Sequence, residues 1–128
     1  MLIVWPLLLV LAVLGGSGEA QSCRRCFKGK GSNLAKGLPA FQSSDYVHKI
    51  SGVAGKAVDG NCAGDWFRAT CTHTNLDMEP WWYVDLGGDY AISTVVVKNR
   101  EDCCSERLQG AQIHVGYTIA DHGKHNSL

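Results

Sequence analysis

The fold is decided by residues 81–98, which read WWYVDLGGDYAISTVVVK. The first six residues alternate in polarity, so Trp82, Val84 and Leu86 share one face of a predicted strand. Two glycines then mark a turn, and the run from Ile92 to Lys98 is rich in β-branched residues that favour a second strand. The stretch therefore predicts two short strands joined through a glycine turn.

The same pattern continues downstream. Ala111, Ile113 and Val115 alternate with Gln112 and His114, which predicts another strand with the first three residues facing the core. From about residue 33 onward we find no helical periodicity of useful length and no internal repeat. Short strands separated by glycine turns predict an all-β sandwich or barrel, in which functional residues lie on the loops at one end.

Composition narrows the class of protein. The chain has 128 residues, 45% hydrophobic, with 12 basic and 12 acidic side chains. This length suits one domain with a real core. The even charge balance provides no net field for nucleic acid, and we expect no nucleic-acid partner. These totals favour no class of enzyme.

The N-terminus predicts secretion. Residues 2–14 form an apolar run that is too short to span a bilayer but suits the core of a signal peptide. Small residues follow, and we place cleavage after Ala20. We therefore divide the chain into a signal peptide (1–20), a basic extension with two cysteines (21–32) and one domain (33–128), with no transmembrane segment.

Secretion gives the six cysteines a structural meaning, because disulfides form in oxidising compartments. The Cys23-x-x-Cys26 pair suits a local or intermolecular disulfide better than a redox or zinc motif, since the expected context of either motif is missing. For Cys103 and Cys104, which are adjacent, the sequence allows a strained ring between them or two distant partners.

A charged cluster follows the strand that ends at Lys98. Arg100, Asp102 and Arg107 lie within eight positions of one another. Two guanidiniums offer many rigid donors and no acceptor, which suits oxygen-rich ligands such as sugars. Asp102 is placed to fix an arginine plane by charge-assisted hydrogen bonds. The alternative is an ordinary solvated turn.

Together these landmarks resemble the F-type lectin (fucolectin) family. The signature is His73, then Arg100 to Asp102 (RED), then Arg107, with the adjacent cysteines inside it. The flanking matches are AVDGN (57–61), TCTH (70–73), PWWYVDL (80–86) and NREDCCSER (99–107). The resemblance covers residues 33–128 and implies a discoidin-like jelly-roll β-sandwich. It also implies later strands, with three more cysteines and an acidic calcium ligand, that this sequence does not contain.

The resemblance implies roles for particular residues. His73, Arg100 and Arg107 would bind the hydroxyls and ring oxygen of α-L-fucose, while a Cys103–Cys104 disulfide would pack on the sugar ring. The remaining candidates for the sugar site are Asp102 and Phe67, with His48 and Trp66 less favoured. Core packing is an equally good explanation for Trp66 and Phe67.

The resemblance also implies a calcium ion that shapes the loops. Lys56 and Thr70 would bind it through their main chain, and Asp59 and Asn61 through their side chains. Asp-Gly-Asn is also an ordinary turn sequence.

Other classes fit less well. A hydrolase would need a nucleophile with its base or two facing carboxylates, and neither stands out. The nearer alternative is a discoidin-like adhesion module that binds membranes or proteins through apolar loop tips. We therefore expect a secreted, non-enzymatic lectin for fucosylated glycans in innate immunity, with homo-oligomers as one route to avidity.

Overall fold

The computed structural model describes the backbone of Leu2–Trp5 and Val10–Val13 and all of residues 31–128. Within these residues the regular structure consists of six short strands and single turns of 3-10 helix. The strands are β1 (Leu2–Trp5), β2 (Val10–Val13), β3 (Ala40–Gln42), β4 (Trp82–Val84), β5 (Val95–Lys98) and β6 (Gln112–Val115). The described residues form strands and irregular segments with no α-helix, which confirms the all-β prediction.

Four strands form one antiparallel sheet in the order β3-β4-β1-β6. Strand β1 lies between β4 and β6, with Leu2 opposite Val84 on one side and Val115 on the other. Strand β3 covers the other edge of β4, where Ala40 lies opposite Val84. A second, two-stranded sheet pairs β2 with β5 in antiparallel register, from Val10↔Lys98 to Val13↔Val95.

The alternation at residues 82–86 buries the predicted face. Trp82, Val84 and Leu86 are all almost fully buried in one hydrophobic cluster, which the half-buried Val95 and Val97 of β5 also contact. The indole N–H of Trp82 donates to the carbonyl oxygen of Ala54 at 3.0 Å, so its one polar atom is satisfied inside the core. Burial of these side chains is the main favourable term for the fold.

The prediction for β6 is only partly right. Ile113 and Val115 do pack against the core cluster, but they are half-buried, whereas His114, predicted to face outward, is buried. The His114 ring bonds through Nδ1 to the carbonyl oxygen of Asn126 at 2.9 Å. The C-terminal segment covers this face of β6, and an alternating pattern cannot reveal such a cover.

Both N-terminal strands lie inside the predicted signal segment. With residues 1–20 on the chain, β1 pairs with β4 and β6, and β2 pairs with β5, so each of these three later strands gains a neighbour along one edge. Cleavage after residue 20 stays a prediction, as do the domain boundaries. The Cys23–Cys26 motif and the basic extension lie outside the described residues, apart from Gly31 and Ser32.

Among the described residues, no helix has the length and apolar character needed to cross a bilayer.

Candidate functional site

Arg100 is held rigidly at the end of β5. Its Nε and Nη2 atoms donate to the two carboxylate oxygens of Asp102 at 2.7 and 2.5 Å. These are charge-assisted hydrogen bonds of the kind expected for this aspartate, and the two together fix the guanidinium plane. The Arg100 side chain is only 7% exposed. The hydrogen bonds from Arg100 lower the pKa of Asp102 to about 2, so the carboxylate is ionised at any physiological pH.

The loop that carries Arg100 is fastened to the loop at residues 64–70. Asp102 accepts a hydrogen bond from the backbone N–H of Trp66 at 3.2 Å, and Glu101 N donates to the Gly64 carbonyl oxygen at 2.7 Å. A Cβ atom on Gly64 would lie 2.6 Å from the carbonyl oxygen of Asn99, so only glycine permits this close approach. The two loops therefore form one unit.

Cys103 and Cys104 form a disulfide with each other, which settles the choice that the sequence leaves open. Cys104 adopts a left-handed backbone conformation (φ 61°) and precedes a 3-10 turn over Ser105–Leu108. The backbone N–H of Arg107 donates to the Cys104 carbonyl oxygen at 3.1 Å. The disulfide thus sets the direction of the turn from which Arg107 projects.

His73 meets Arg107 from a separate part of the chain. Nη1 of Arg107 lies 3.4 Å from Nε2 of His73, and Nδ1 of His73 contacts the carbonyl oxygen of Thr74. Since a guanidinium only donates, Nε2 accepts and Nδ1 carries the proton, which makes the ring neutral. Burial lowers the pKa of His73, and the positive charges of Arg107 and Arg100 lower it further against the opposing effect of the Thr74 hydrogen bond.

An aromatic cluster surrounds the His73 ring. The ring centroids of Tyr46 and Trp66 lie 4.6 and 5.1 Å from that of His73. The guanidinium carbon of Arg100 lies 5.8 Å from the Trp66 centroid and 6.0 Å from that of Phe67, within cation–π range. Trp66 is therefore the common neighbour of His73 and Arg100.

The main chain around His73 is also fixed. His73 N donates to the Gly52 carbonyl oxygen at 2.8 Å, and His73 O accepts from Tyr46 N at 2.8 Å. A Cβ atom on Gly52 would lie 2.7 Å from the His73 Cβ, so this contact requires glycine. Sequence reasoning missed Tyr46 and Gly52, because neither residue type signals a role before the fold brings it to the histidine.

The structure thus brings most of the predicted sugar-site residues together but leaves His48 apart from them. His73 and Arg107 are in contact, and Arg100, Asp102 and the disulfide lie on the adjoining loop. Phe67 is 78% exposed beside Arg100, so core packing is wrong for Phe67 and right for the buried Trp66. His48 is exposed in the turn closed by the Val47–Ser51 bridge, and no hydrogen bond or ring contact among the described residues joins it to this group.

The predicted calcium loop is rich in oxygen atoms. Asp59 Oδ1 accepts from Asn61 N at 2.7 Å, and Asn61 Oδ1 accepts from Ala63 N at 3.0 Å. The hydroxyl of Thr70 is engaged with the backbone of Asp65, which leaves its main-chain carbonyl as the oxygen that it could offer to a metal. Lys56 lies in the 3-10 turn Ala54–Ala57.

One carboxylate, one amide and main-chain carbonyls are oxygen donors of the kind that calcium prefers. The donor types therefore fit calcium, although this region of the described chain contains no cluster of three or more acidic, histidine or cysteine side chains. Calcium binding remains a prediction.

Cys71 is a free, buried thiol, and burial is the main cause that raises its pKa. Cys62 takes part in a disulfide. Cys62 and Cys71, which a resemblance-based reading could pair with each other, are therefore not partners.

Comparison with known proteins agrees with this geometry. The family model described as a NedA-like, galactose-binding domain matches residues 56–123, just over half of the chain. The chain belongs to this family. Within it, the chain carries an F-type lectin (fucolectin) domain, as its curated relatives indicate.

Among the relatives of this F-type lectin domain, Fucolectin of Anguilla anguilla is 40% identical over 96 residues, which is 73% of this chain and 61% of the relative. Fucolectin-6 of Anguilla japonica is 46% identical over 49% of this chain and 34% of its own length. The Pentraxin fusion protein of Xenopus laevis is 36% identical over 69% of this chain and 20% of its own length. The chain thus spans less than two thirds of each of these relatives, and no solved structure matches it.

Proposed function

We propose that the protein is a lectin that binds terminal α-L-fucose on glycans at the group formed by His73, Arg100 and Arg107. The contact between His73 and Arg107, which joins residues far apart in sequence into one polar site, is the observation that carries the proposal. The relatives named fucolectin support it.

The chemistry suits a sugar hydroxyl. A hydroxyl that enters between His73 and Arg107 donates to the neutral Nε2 atom and accepts from the guanidinium, so both of its roles are used. Arg100 supplies further donors whose direction Asp102 fixes, which reduces the entropy lost on binding. No step of this recognition breaks a covalent bond, and we assign the protein no catalytic activity.

Apolar contacts complete the proposed site. The sulfur atoms of the Cys103–Cys104 disulfide offer a surface for the C–H face of the ring. The exposed Phe67 ring is the candidate contact for the fucose methyl group. His48 remains a weaker candidate for the same pocket. A single shallow site of this kind binds weakly, so avidity from several copies is part of the proposal.

Calcium and location belong to the same proposal. Calcium would bind Asp59 and Asn61 through side chains and Lys56 and Thr70 through carbonyl oxygens, and would order the loop without touching sugar. The protein would act outside the cell, in innate immune recognition of foreign or host glycans. The predicted signal peptide and the structural disulfides support the extracellular location.

The decisive experiment passes the purified protein over immobilised L-fucose. We expect retention, elution by free fucose and no elution by galactose. Arg107→Ala should remove retention, and Arg107→Lys should weaken it because the ammonium lacks the planar fork. Arg68→Ala is the matched control, since this arginine is exposed and pairs with Asp65. A folded Arg107→Ala protein that is still retained would refute the site.

A discoidin-like adhesion module is the second candidate, and one observation favours it. Leu76 and Met78 are almost completely exposed on one loop, and Asp77 between them is fixed by hydrogen bonds from the hydroxyls of Ser43 and Ser44. Two apolar side chains on a rigid loop suit insertion into a membrane or contact with a protein. Sedimentation with phosphatidylcholine vesicles, lost in Leu76→Ser/Met78→Ser, would support this function, and absence of sedimentation would dismiss its membrane form.

A further inference from the structure

The outer face of β3 and β4 carries a row of aromatic rings. Because Trp82 and Val84 point into the core, Trp81 and Tyr83 point the other way. Phe41 lies opposite Tyr83 in the register of the sheet, and their ring centroids are 5.1 Å apart. Trp81 and Tyr83 follow at 5.6 Å, with ring planes only 20° from parallel. This surface is distinct from the aromatic cluster around His73.

The row extends beyond the sheet. His122 stacks on Trp81 at 4.1 Å, with the ring planes 13° apart. Its backbone and that of Asp121 have positive φ angles of 53° and 48°, an uncommon conformation for two successive non-glycine residues. The histidine thus covers one end of the row, while Phe41, 47% exposed, lies at the other end.

Three residues of this row, Phe41, Trp81 and Tyr83, line a groove of about 400 Å³. Its lining also includes Val53, Ala54 and Gly55 of a neighbouring turn and the acidic residue Asp45. The size falls in the range of roughly 300–1,000 Å³ that is usual for small-molecule sites, which combine apolar walls with few polar groups.

Gln42 fixes the polar side of the groove. Its Nε2 atom donates to Asp45 Oδ1 at 2.6 Å and to the Gly52 carbonyl oxygen at 2.8 Å, and lies 3.3 Å from the His73 carbonyl oxygen. Asp45 is therefore held in place in the groove lining as a hydrogen-bond acceptor. Gln42 thus links the groove to the backbone of His73, although the residues that line the groove differ from those of the proposed fucose site.

The chemistry of the groove matches a pyranose ring. Such a ring has an apolar C–H face, which packs on aromatic side chains, and an edge of hydroxyl donors, which pair with a carboxylate. The lining contains a carboxylate and no lysine or arginine. A neutral sugar therefore fits, whereas sulfated or carboxylated sugars would be repelled.

We propose that this aromatic groove is a second carbohydrate-binding site, which takes a neutral pyranose residue through Phe41, Trp81 and Tyr83, with Asp45 accepting from its hydroxyls. The site does not depend on the fucose proposal, since neither His73 nor either arginine side chain lines it. A second site on the same domain would let one glycan chain, or two branches, bind at two points.

The test is saturation-transfer NMR with the full chain and a fixed panel of disaccharides. Lactose, cellobiose and N,N′-diacetylchitobiose serve as neutral probes, and a sulfated heparin disaccharide serves as the anionic probe. We expect transfer to at least one neutral probe, reduced at least fivefold in Tyr83→Ala and in Asp45→Ala. Tyr117→Ala is the matched control, because this tyrosine is 88% exposed and does not line the groove.

Two further comparisons make the result decisive. Asp45→Ala keeps every aromatic ring, so it tests the site even if Tyr83→Ala does not fold. Arg107→Ala should leave the transfer unchanged, and column retention on fucose, measured on the same samples, reports the other proposal separately. No transfer to any neutral probe, transfer unaffected by both groove variants, or preference for the sulfated probe would overturn the inference.

Discussion

Nη1 of Arg107 lies 3.4 Å from Nε2 of His73, although 34 residues separate them in the sequence. The guanidinium donates and the imidazole accepts, so the contact fixes both the tautomer and the neutral state of the ring. A hydroxyl that replaces this contact finds one donor and one acceptor already aligned.

Retention on fucose should therefore depend on pH through His73. The pKa of His73 lies below 6.5 because of burial and the adjacent arginines. Retention should be constant from pH 8 to 7 and fall at lower pH, where protonation removes the acceptor and adds a third positive charge. Retention across pH 4.5–8 on the fucose column measures this. Asp102, whose pKa is about 2, stays ionised throughout and does not contribute.

The same protonation affects folding. The unfolded chain binds this proton at a higher pH than the folded chain, so the contribution of His73 to stability is present above about pH 6.5 and is lost as the pH falls.

The substitution His73→Gln tests whether His73 causes the pH dependence of retention. Glutamine does not titrate, so this variant should bind fucose more weakly and show a flatter pH profile of retention. An unchanged slope in that variant would assign the pH dependence to another group.

Asp102→Asn should lower both stability and retention. The substitution leaves the almost fully buried Arg100 guanidinium without its counter-charge, and the lost hydrogen bonds free it to move. We expect the free energy of unfolding to fall by about 3 kcal/mol, the lower end for a broken buried ion pair, because asparagine keeps one hydrogen-bond acceptor. Urea unfolding of this variant measures the loss. The control is Asp89→Asn, an exposed aspartate, which should be neutral.

The double substitution Cys103→Ser/Cys104→Ser should weaken retention at least tenfold. Without the ring, position 104 leaves its left-handed conformation, which costs a non-glycine residue of order 1 kcal/mol, and the turn carrying Arg107 moves. Retention on the column at graded fucose concentrations measures the effect, with Cys71→Ser as the control for a single thiol.

Cys103→Ser/Cys104→Gly separates two explanations. Glycine adopts the left-handed conformation freely, so partial recovery would assign the disulfide a role in geometry. If the glycine variant recovers no retention, direct contact between the sulfur atoms and the sugar remains as the role of the disulfide. Full retention by the double serine variant would contradict both explanations.

Removal of calcium should destabilise the loop at residues 56–61. We expect EDTA to lower the melting temperature and added calcium to restore it, because an ion that binds only the folded state stabilises that state. Asp59→Ala should abolish the response to EDTA, whereas Asp89→Ala should retain it. A melting temperature that ignores EDTA in the unsubstituted protein would dismiss the metal.

The sequence predicted those parts of the molecule that depend on local patterns. Alternation identified the buried face of β4, and the spacing of arginines and cysteines identified the loop after β5, including the pairing of Arg100 with Asp102. Tyr46 and Gly52 escaped because their roles arise from contacts with His73, about twenty residues or more away. The burial of His114 escaped for the same reason, since a later segment covers it.

The position of Trp66 has a spectroscopic consequence. Its indole ring is buried edge-on to His73 and lies under the positive charge of Arg100. Indole emission responds to nearby charge and polarity, so an occupant that shifts either neighbour also changes the light that Trp66 emits. The fluorescence of Trp66 should therefore report whether the site formed by His73, Arg100 and Arg107 is occupied.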